Sequence, residues 1–344
     1  MKRAVCLTLT LTALTPQLFR DWVGRSFCVT RFTDNKNAQC STGSSLSQGG
    51  RTPRRARRPR RGRANIIMYG LLLVAVQPAL IVSTRSSLCT SAWLAARFRR
   101  SDEQDIIVFD VTQELDRNSN SASPDVGAFE AGRIPGARFL DVGSRLSRPG
   151  LRNARGDLLH NMLPDAEQFA SEMAAAGVKD GSHVVLYSSG HVMWATRVWW
   201  LLHSFGFQGH VSVLDGGLDA WTAAGYPVER GAPASPPEAM PSCPGAAGLA
   251  VRQCRTGAMV DKYAVLEAIQ SLRATVIDSL KPATFSGVEP SRYGRRGHIT
   301  SAVNVPYPSV VDSRSGCFFP SPRIREAFKA ASVALDGDGL LLAY

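Results

Sequence analysis

The stretch from Ser182 to Pro227 constrains the fold of this chain more than any other part of it. Its first apolar run, Val184–Tyr187, has the length and composition of a buried parallel strand. After a polar turn that contains a glycine, apolar residues recur at helical spacing from Trp194 to Phe205 and stop before Gly206. A second apolar run, Val211–Leu214, then leads into a glycine turn. Strand, loop, helix and strand in this order predict a βαβ unit and hence an α/β fold.

A second copy of this pattern occupies the end of the chain. One short apolar strand ends in Asp110, and another ends in Asp278, 168 residues later. The glycine-containing turn at 132–139 is repeated at 296–306, and the apolar run at 340–344 matches the central strand of the first copy. These repeated features predict an internal duplication of one α/β unit.

Several unusual residues in the first copy resemble one family. Arg197–Trp200, Val213–Gly217 and Trp221 are similar to the centre of a rhodanese-like domain, and 132–139 resembles a turn of that domain with Arg133 in place of a histidine. Their order and spacing resemble the tandem-domain sulfurtransferases that act on thiosulfate or 3-mercaptopyruvate. The resemblance implies two α/β domains with parallel sheets flanked by helices. It also implies a small-molecule sulfur donor, a thiol or cyanide acceptor, and no metal or other cofactor.

The resemblance and the composition together predict four segments. Residues 1–83 form a basic extension, 84–230 the first rhodanese-like domain, 231–255 a linker rich in Pro, Ala, Ser and Gly, and 256–344 the second domain. The second copy reaches only the central strand, so the resemblance predicts that this domain is truncated before its catalytic loop.

Sulfur transfer in the family passes through a cysteine persulfide, which requires a thiolate at the start of the loop after the central strand. In the second copy that position would be 345, so we expect the catalytic cysteine to be missing and the chain, as supplied, to be inactive. In the first copy the position holds Ser188, whose hydroxyl cannot carry sulfane sulfur. Ser188, Gly190 and His191 therefore belong to a degenerate, non-catalytic loop.

Two arginines in the second copy are candidates for binding the anionic donor. Arg292 corresponds to one family arginine with a one-residue gap, and Arg295 lies nearby, whereas Thr284 stands where mercaptopyruvate enzymes have another arginine. The alternative is that this segment is an ordinary solvated basic loop. Gly143 and Asn161 replace an acid and a histidine of the family, which weakens an assignment to 3-mercaptopyruvate. A non-catalytic rhodanese-like binding module is the alternative function.

The basic character of the chain comes from its first part. Residues 1–100 hold 18 of the 40 Lys and Arg residues but two of the 28 acidic ones, and eight arginines lie within 51–63. Such a segment is typical of an organellar transit peptide, here mitochondrial, and we expect no nucleic-acid partner. The apolar run 66–82 could instead be a membrane anchor. The seven cysteines show no paired or metal-binding spacing and indicate reduced thiols.

Overall fold

A computed structural model describes most of the predicted globular part of the chain. The described residues are 87–99, 106–116, 122–153, 156, 158–233, 258–290, 295–336 and 339–344. Three predictions therefore lie outside them: the leader 1–83 with its apolar run, most of the linker 231–255, and the position of Arg292. Within the described residues no helix is long and apolar enough to cross a membrane.

The first repeat contains the following elements in chain order. They are β1 (Leu88–Cys89), α1 (Ser91–Phe98), β2 (Ile106–Asp110), β3 (Gln113–Leu115), β4 (Ala122–Pro124), α2 (Val126–Ala131), β5 (Arg138–Phe139), α3 (Ala166–Ala175), β6 (His183–Tyr187), α4 (Met193–Ser204), β7 (His210–Leu214) and α5 (Gly217–Ala223). The second repeat contains α6 (Lys262–Gln270), β8 (Ala274–Asp278), α7 (Pro282–Ser286), β9 (Val303–Asn304), a 3₁₀ turn (Tyr307–Ser309), α8 (Ser321–Ala330) and β10 (Leu340–Ala343).

The sheet of the first repeat is parallel, as its apolar strands predict. Its order is β1-β7-β6-β2-β5, and β6 lies between β2 and β7 with every residue buried. A strand buried on both faces carries a continuous apolar run instead of an alternating one. The βαβ prediction for 182–227 is therefore confirmed, with α4 as the crossover helix between β6 and β7.

The described part of the second repeat reproduces the same order over fewer strands. Its sheet runs β10-β8-β9, which matches β6-β2-β5, and all its pairs are parallel. The phenolic oxygen of Tyr187 accepts a hydrogen bond from the Ile134 amide at 3.2 Å, and that of Tyr344 accepts one from the Ile299 amide at 2.8 Å. The same long-range contact at matching positions confirms the internal duplication.

Two helices of the second repeat end just before a residue in a left-handed conformation. Helix α6 ends at Gln270, and Leu272 has φ of 55°. Helix α8 ends at Ala330, and Ser332 has φ of 59°. Neither Leu nor Ser is a usual helix stop, so the sequence signal for a C-terminus was weak at both places.

The two repeats share one apolar core. Residues 84–344 fall within one compact unit, and a single cluster of buried side chains contains Trp194 and Val198 of α4 together with Ile324 and Phe328 of α8. Helix α8 is therefore packed against the first repeat as well as against its own sheet. The boundary of the two domains between 230 and 256 stays a prediction.

Candidate functional site

The loop between β6 and α4 is the part of the first repeat that corresponds to a reacting loop. Ser188 is 5% exposed, and its hydroxyl donates to the carbonyl of His191 at 2.7 Å, so the turn is closed on itself. Gly190 takes a left-handed conformation at the tip of this turn, and the His191 side chain is exposed. The three predicted loop residues thus lie together in the structure, and the Ser188 hydroxyl is engaged in a hydrogen bond within the loop.

A buried acid beneath this loop holds it in place. Asp110, 1% exposed, accepts hydrogen bonds from the amide and the hydroxyl of Thr112. The Thr112 hydroxyl oxygen in turn accepts from the Ser189 amide at 2.9 Å. Burial raises the pKa of Asp110, although the bonds from Thr112 act in the opposite direction. This connection was not predicted from the sequence, although a threonine two residues after the aspartate at a strand end indicates such a contact.

The glycine turn after β7 closes the site from the other side. Gly217 has φ of 56°, and a Cβ atom there would lie 2.3 Å from the Ser188 carbonyl oxygen. No residue with a side chain fits this position without moving the β6–α4 loop. The pair of glycines at 216–217 therefore lets the two loops of the βαβ unit touch through their backbones.

A turn of the second repeat packs on this site. The Asp215 carboxylate accepts a hydrogen bond from the Phe318 amide at 2.8 Å, and a Cβ at Gly216 would lie 2.7 Å from the Cys317 sulfur. The 312–317 turn is itself closed by a hydrogen bond from the Asp312 amide to the Cys317 carbonyl at 2.8 Å. Gly316 lines the same small cavity as Ser188, Gly190 and Gly217. The degenerate loop thus lies at a contact between the two repeats.

The described cysteines are poor nucleophiles. Burial, with the nearby charge of Asp215, raises the pKa of Cys89 to about 12. Burial and Asp215 also raise the pKa of Cys317, which lies in the loop between the 3₁₀ turn and α8. A persulfide-forming cysteine needs a lowered pKa. Among the described residues there is also no cluster of His, Cys, Asp and Glu side chains able to hold a metal ion.

The predicted donor-binding residues are only partly described. Arg295 is exposed, and Arg292 lies outside the described residues. Next to Arg295, the Arg296 guanidinium donates to the Val288 carbonyl at 3.3 Å, and the His298 ring stacks on Phe285 with 3.7 Å between centroids. Arg296 and His298 are thus engaged in holding the turn against α7, while Arg295 extends into solvent. A role of Arg292 and Arg295 in donor binding stays a prediction.

The two family positions that differ in the first repeat have structural roles of their own. A Cβ at Gly143 would lie 2.4 Å from the Ala122 carbonyl oxygen, so an aspartate does not fit there without a backbone shift. Asn161 has φ of 54°, and its carbonyl accepts from the Arg197 guanidinium at 2.8 Å. Asparagine tolerates this left-handed conformation better than most residues.

Comparisons with known proteins agree with this geometry. A family model described as "Rhodanese-like domain" matches residues 90–224. Human 3-mercaptopyruvate sulfurtransferase is 30% identical over 255 residues, which cover 72% of this chain and 78% of the human protein. The mitochondrial thiosulfate/3-mercaptopyruvate sulfurtransferase 1 of Arabidopsis thaliana is 28% identical over 272 residues, 74% of this chain and 67% of that protein. The crystal structure of SseA from Escherichia coli, a 3-mercaptopyruvate sulfotransferase, superimposes with a TM-score of 0.57 at 27% identity, covering 75% of this chain and 87% of SseA.

Proposed function

The chain belongs to the rhodanese-like sulfurtransferases, and on that premise we propose that the protein moves sulfane sulfur from 3-mercaptopyruvate or thiosulfate to a thiol or cyanide. The first repeat acts as a non-catalytic scaffold, and the second repeat is the reacting half. The observation that carries this assignment is the residue that follows the central strand of the first repeat. Tyr187 and Tyr344 make matching contacts to Ile134 and Ile299, so the two strand ends correspond. After Tyr187 the first repeat has Ser188, whose hydroxyl is bonded to the His191 carbonyl and cannot carry sulfane sulfur.

The proposed chemistry needs one thiolate and no cofactor. With thiosulfate, the thiolate attacks the outer sulfur, the sulfur–sulfur bond of the donor breaks, and sulfite leaves with the bonding pair. Cyanide then attacks the outer sulfur of the persulfide, which releases thiocyanate and restores the thiolate. Backbone amides of a strand–helix loop favour the anionic sulfur in both steps.

The described residues do not hold this thiolate. Cys89 and Cys317 both have raised pKa values, and neither follows a central strand. In the second repeat the position equivalent to Ser188 is not part of the printed sequence, which ends at Tyr344.

Arg295 and Arg292 would bind the donor's anionic end. A guanidinium pairs with a carboxylate or a thiosulfonate through two parallel hydrogen bonds, whereas lysine offers only a point charge. The exposure of Arg295 supports the proposal, because its guanidinium is accessible to a small anion.

A chimera tests which repeat reacts. Residues 188–227 of the first repeat, carrying Ser188→Cys, are joined after Tyr344, and the matched control carries the unchanged Ser188. We expect a persulfide on the new cysteine and thiocyanate formation from the first chimera only. The unextended 344-residue chain should form no thiocyanate above a buffer blank. A folded cysteine chimera without persulfide would contradict the assignment of the second repeat, as would a persulfide mapped to any of the seven native cysteines.

The second candidate function is a non-catalytic rhodanese-like module. The raised pKa values of both described cysteines and the closed Ser188 loop favour it. Such a module would bind thiosulfate without consuming it. Calorimetric binding of thiosulfate to the cysteine chimera, with no sulfite released, would select this alternative.

We further propose a mitochondrial location, with residues 1–83 as the targeting segment. The support is the basic, acid-poor composition of this segment and the mitochondrial relative from Arabidopsis. Fusion of residues 1–83 to a fluorescent protein should direct it to mitochondria, and a membrane-embedded fusion product elsewhere would favour an anchor at 66–82.

A further inference from the structure

Two histidines lie side by side at the edge of the first-repeat sheet that is opposite the Ser188 loop. His183 is the first residue of β6, and it pairs in register with His210, the first residue of β7. Because their side chains leave the sheet on the same face, the two imidazole rings meet edge to face, with 4.4 Å between centroids. His183 is 6% exposed, and His210 is half-buried. Two titratable rings are thus in direct contact, and one of them is shielded from solvent.

Neighbouring side chains hold the His183 ring in this position. Its Nε2 atom lies 3.1 Å from the hydroxyl oxygen of Ser212, which is 2% exposed. The Trp93 ring of α1 also contacts it, with 5.2 Å between centroids, and the Arg97 guanidinium lies 5.2 Å from the centre of that Trp93 ring. An indole face favours a nearby cation, whereas the charge of a guanidinium opposes one. The pair can therefore accept one proton here, but a second positive charge is opposed.

No buried carboxylate of the described residues lies at this edge of the sheet. The buried carboxylates are Asp110, at the far end of β2, and Asp278 in the second repeat. The charged side chains on the elements around the pair are exposed; they are Arg99 at the end of α1, and Lys179 and Asp180 in the turn before β6. Acidic residues also precede β2 and lie outside the described residues; they are Asp102, Glu103 and Asp105. The described contacts thus bring a positive charge, that of Arg97, towards the pair.

We propose that His183 and His210 form an acid-sensitive switch, which loosens the neighbouring ends of β6 and β7 when the pair has to take up a second proton. The folded pair holds one proton, because two imidazolium ions at this separation repel each other strongly in a partly buried place. The unfolded chain binds both protons once the pH falls below about 6.5. The folded state then binds fewer protons than the unfolded state, so its stability falls as the pH falls.

The position of the pair connects the switch to the contact between the two repeats. Strands β6 and β7 run from the pair to Ser188 and Gly217, whose loops contact each other and the 312–317 turn of the second repeat. Loosening of these strands at their first residues therefore weakens the support of that contact. The switch does not depend on the proposed sulfur transfer, because it concerns the stability of the first repeat.

The test compares the 344-residue chain with its variants His210→Gln and His210→Phe. Both variants lack the second titrating ring, and the phenylalanine keeps an aromatic contact with His183. Between pH 7.5 and pH 5, the unfolding constant from urea titrations should rise about tenfold more in the wild type than in either variant. His191→Gln is the matched control, because His191 is exposed in the Ser188 loop, and it should behave like the wild type.

Nuclear magnetic resonance of the wild type, with labelled histidines, measures the protonation of the pair directly. The chain has six histidines, and the variants identify the signals of this pair. The second protonation step of the pair should lie at least about one pH unit below the first, and His183 should titrate in a single step in either variant. The proposal would be overturned if the two rings titrated as independent sites. It would also be overturned if the pH dependence of stability were equal in wild type and variants, or if the wild type gained stability relative to them in acid.

Discussion

A side chain at a left-handed glycine position can destabilise the fold through the backbone conformation and through a steric clash. Substitutions at Gly190 and Gly217 measure these two effects separately. Both have positive φ, but a Cβ at Gly190 meets nothing within 4 Å, whereas one at Gly217 lies 2.3 Å from the Ser188 carbonyl oxygen. We expect Gly190→Ala to cost about 1 kcal/mol of stability from the backbone conformation alone. Gly217→Ala should cost about 2–4 kcal/mol, because the loop must also move. Urea unfolding of both variants measures the difference, and equal midpoints would contradict the close approach.

Asp110 should make the stability of the folded protein depend on pH, and the direction follows from its raised pKa. Its pKa is raised in the folded state, mainly by burial, so the folded protein binds this proton more tightly than the unfolded chain. Its contribution to stability is therefore fully present below the unfolded pKa and is lost as pH rises through the folded pKa. Relative to Asp110→Asn, the wild type should lose stability between about pH 4 and the folded pKa. Denaturant titrations across this range measure the free energy of unfolding of both proteins. If the wild type gained stability with rising pH relative to the variant, burial would not be the main influence on the pKa of Asp110.

Cys89 tests the assignment of the described thiols as unreactive. With a pKa of about 12, the thiolate fraction at pH 8 is on the order of 10⁻⁴. We expect native Cys89 to resist iodoacetamide at pH 8 and to react readily in denaturant. Mass-spectrometric mapping of the modified cysteines provides the measurement, and rapid native labelling of Cys89 would show that its environment activates the thiol.

At the scale of elements, the turn after β7 and the 312–318 segment are held together by the hydrogen bond between Asp215 and the Phe318 amide. Asp215→Ala removes the acceptor of the Phe318 amide, and we expect a loss of about 1–3 kcal/mol. Asp219→Ala is the matched control, since Asp219 is exposed in the first turn of α5 and contributes about 0.3–1 kcal/mol through the helix dipole. Thermal unfolding of both variants measures the stability that each substitution removes. If both variants lose the same stability, the bond to Phe318 contributes little.

At the scale of the whole molecule, the repeats differ in how well their central strands are covered. Strand β6 is buried throughout, whereas β10 is mostly half-buried. Limited proteolysis should therefore leave a resistant core near 84–230, and 256–344 should be cut first or aggregate. Equal amide protection of β6 and β10 in hydrogen exchange would show that the shared core around α8 stabilises both repeats alike.

Features that depend on local pattern could be predicted from the sequence alone. The apolar run at 184–187, the helical spacing before Gly206 and the aspartates at 110 and 278 predicted the βαβ unit and its duplication. Such features are set by neighbouring residues and by periodicity, so one chain is enough to find them. Ser188 in the first loop was likewise evident, because its position is defined by the strand before it.

Contacts between segments that are distant in the sequence could not be predicted in this way. The bond between Asp215 and Phe318 joins residues 103 positions apart, and no local pattern marks either partner. The same holds for Gly143, whose lack of a side chain matters because the Ala122 carbonyl approaches it. These contacts depend on how helices and sheets pack, since a side chain's neighbours in a close-packed core are set by the whole fold. The contact between the two repeats at the degenerate loop is therefore a property of the packed molecule.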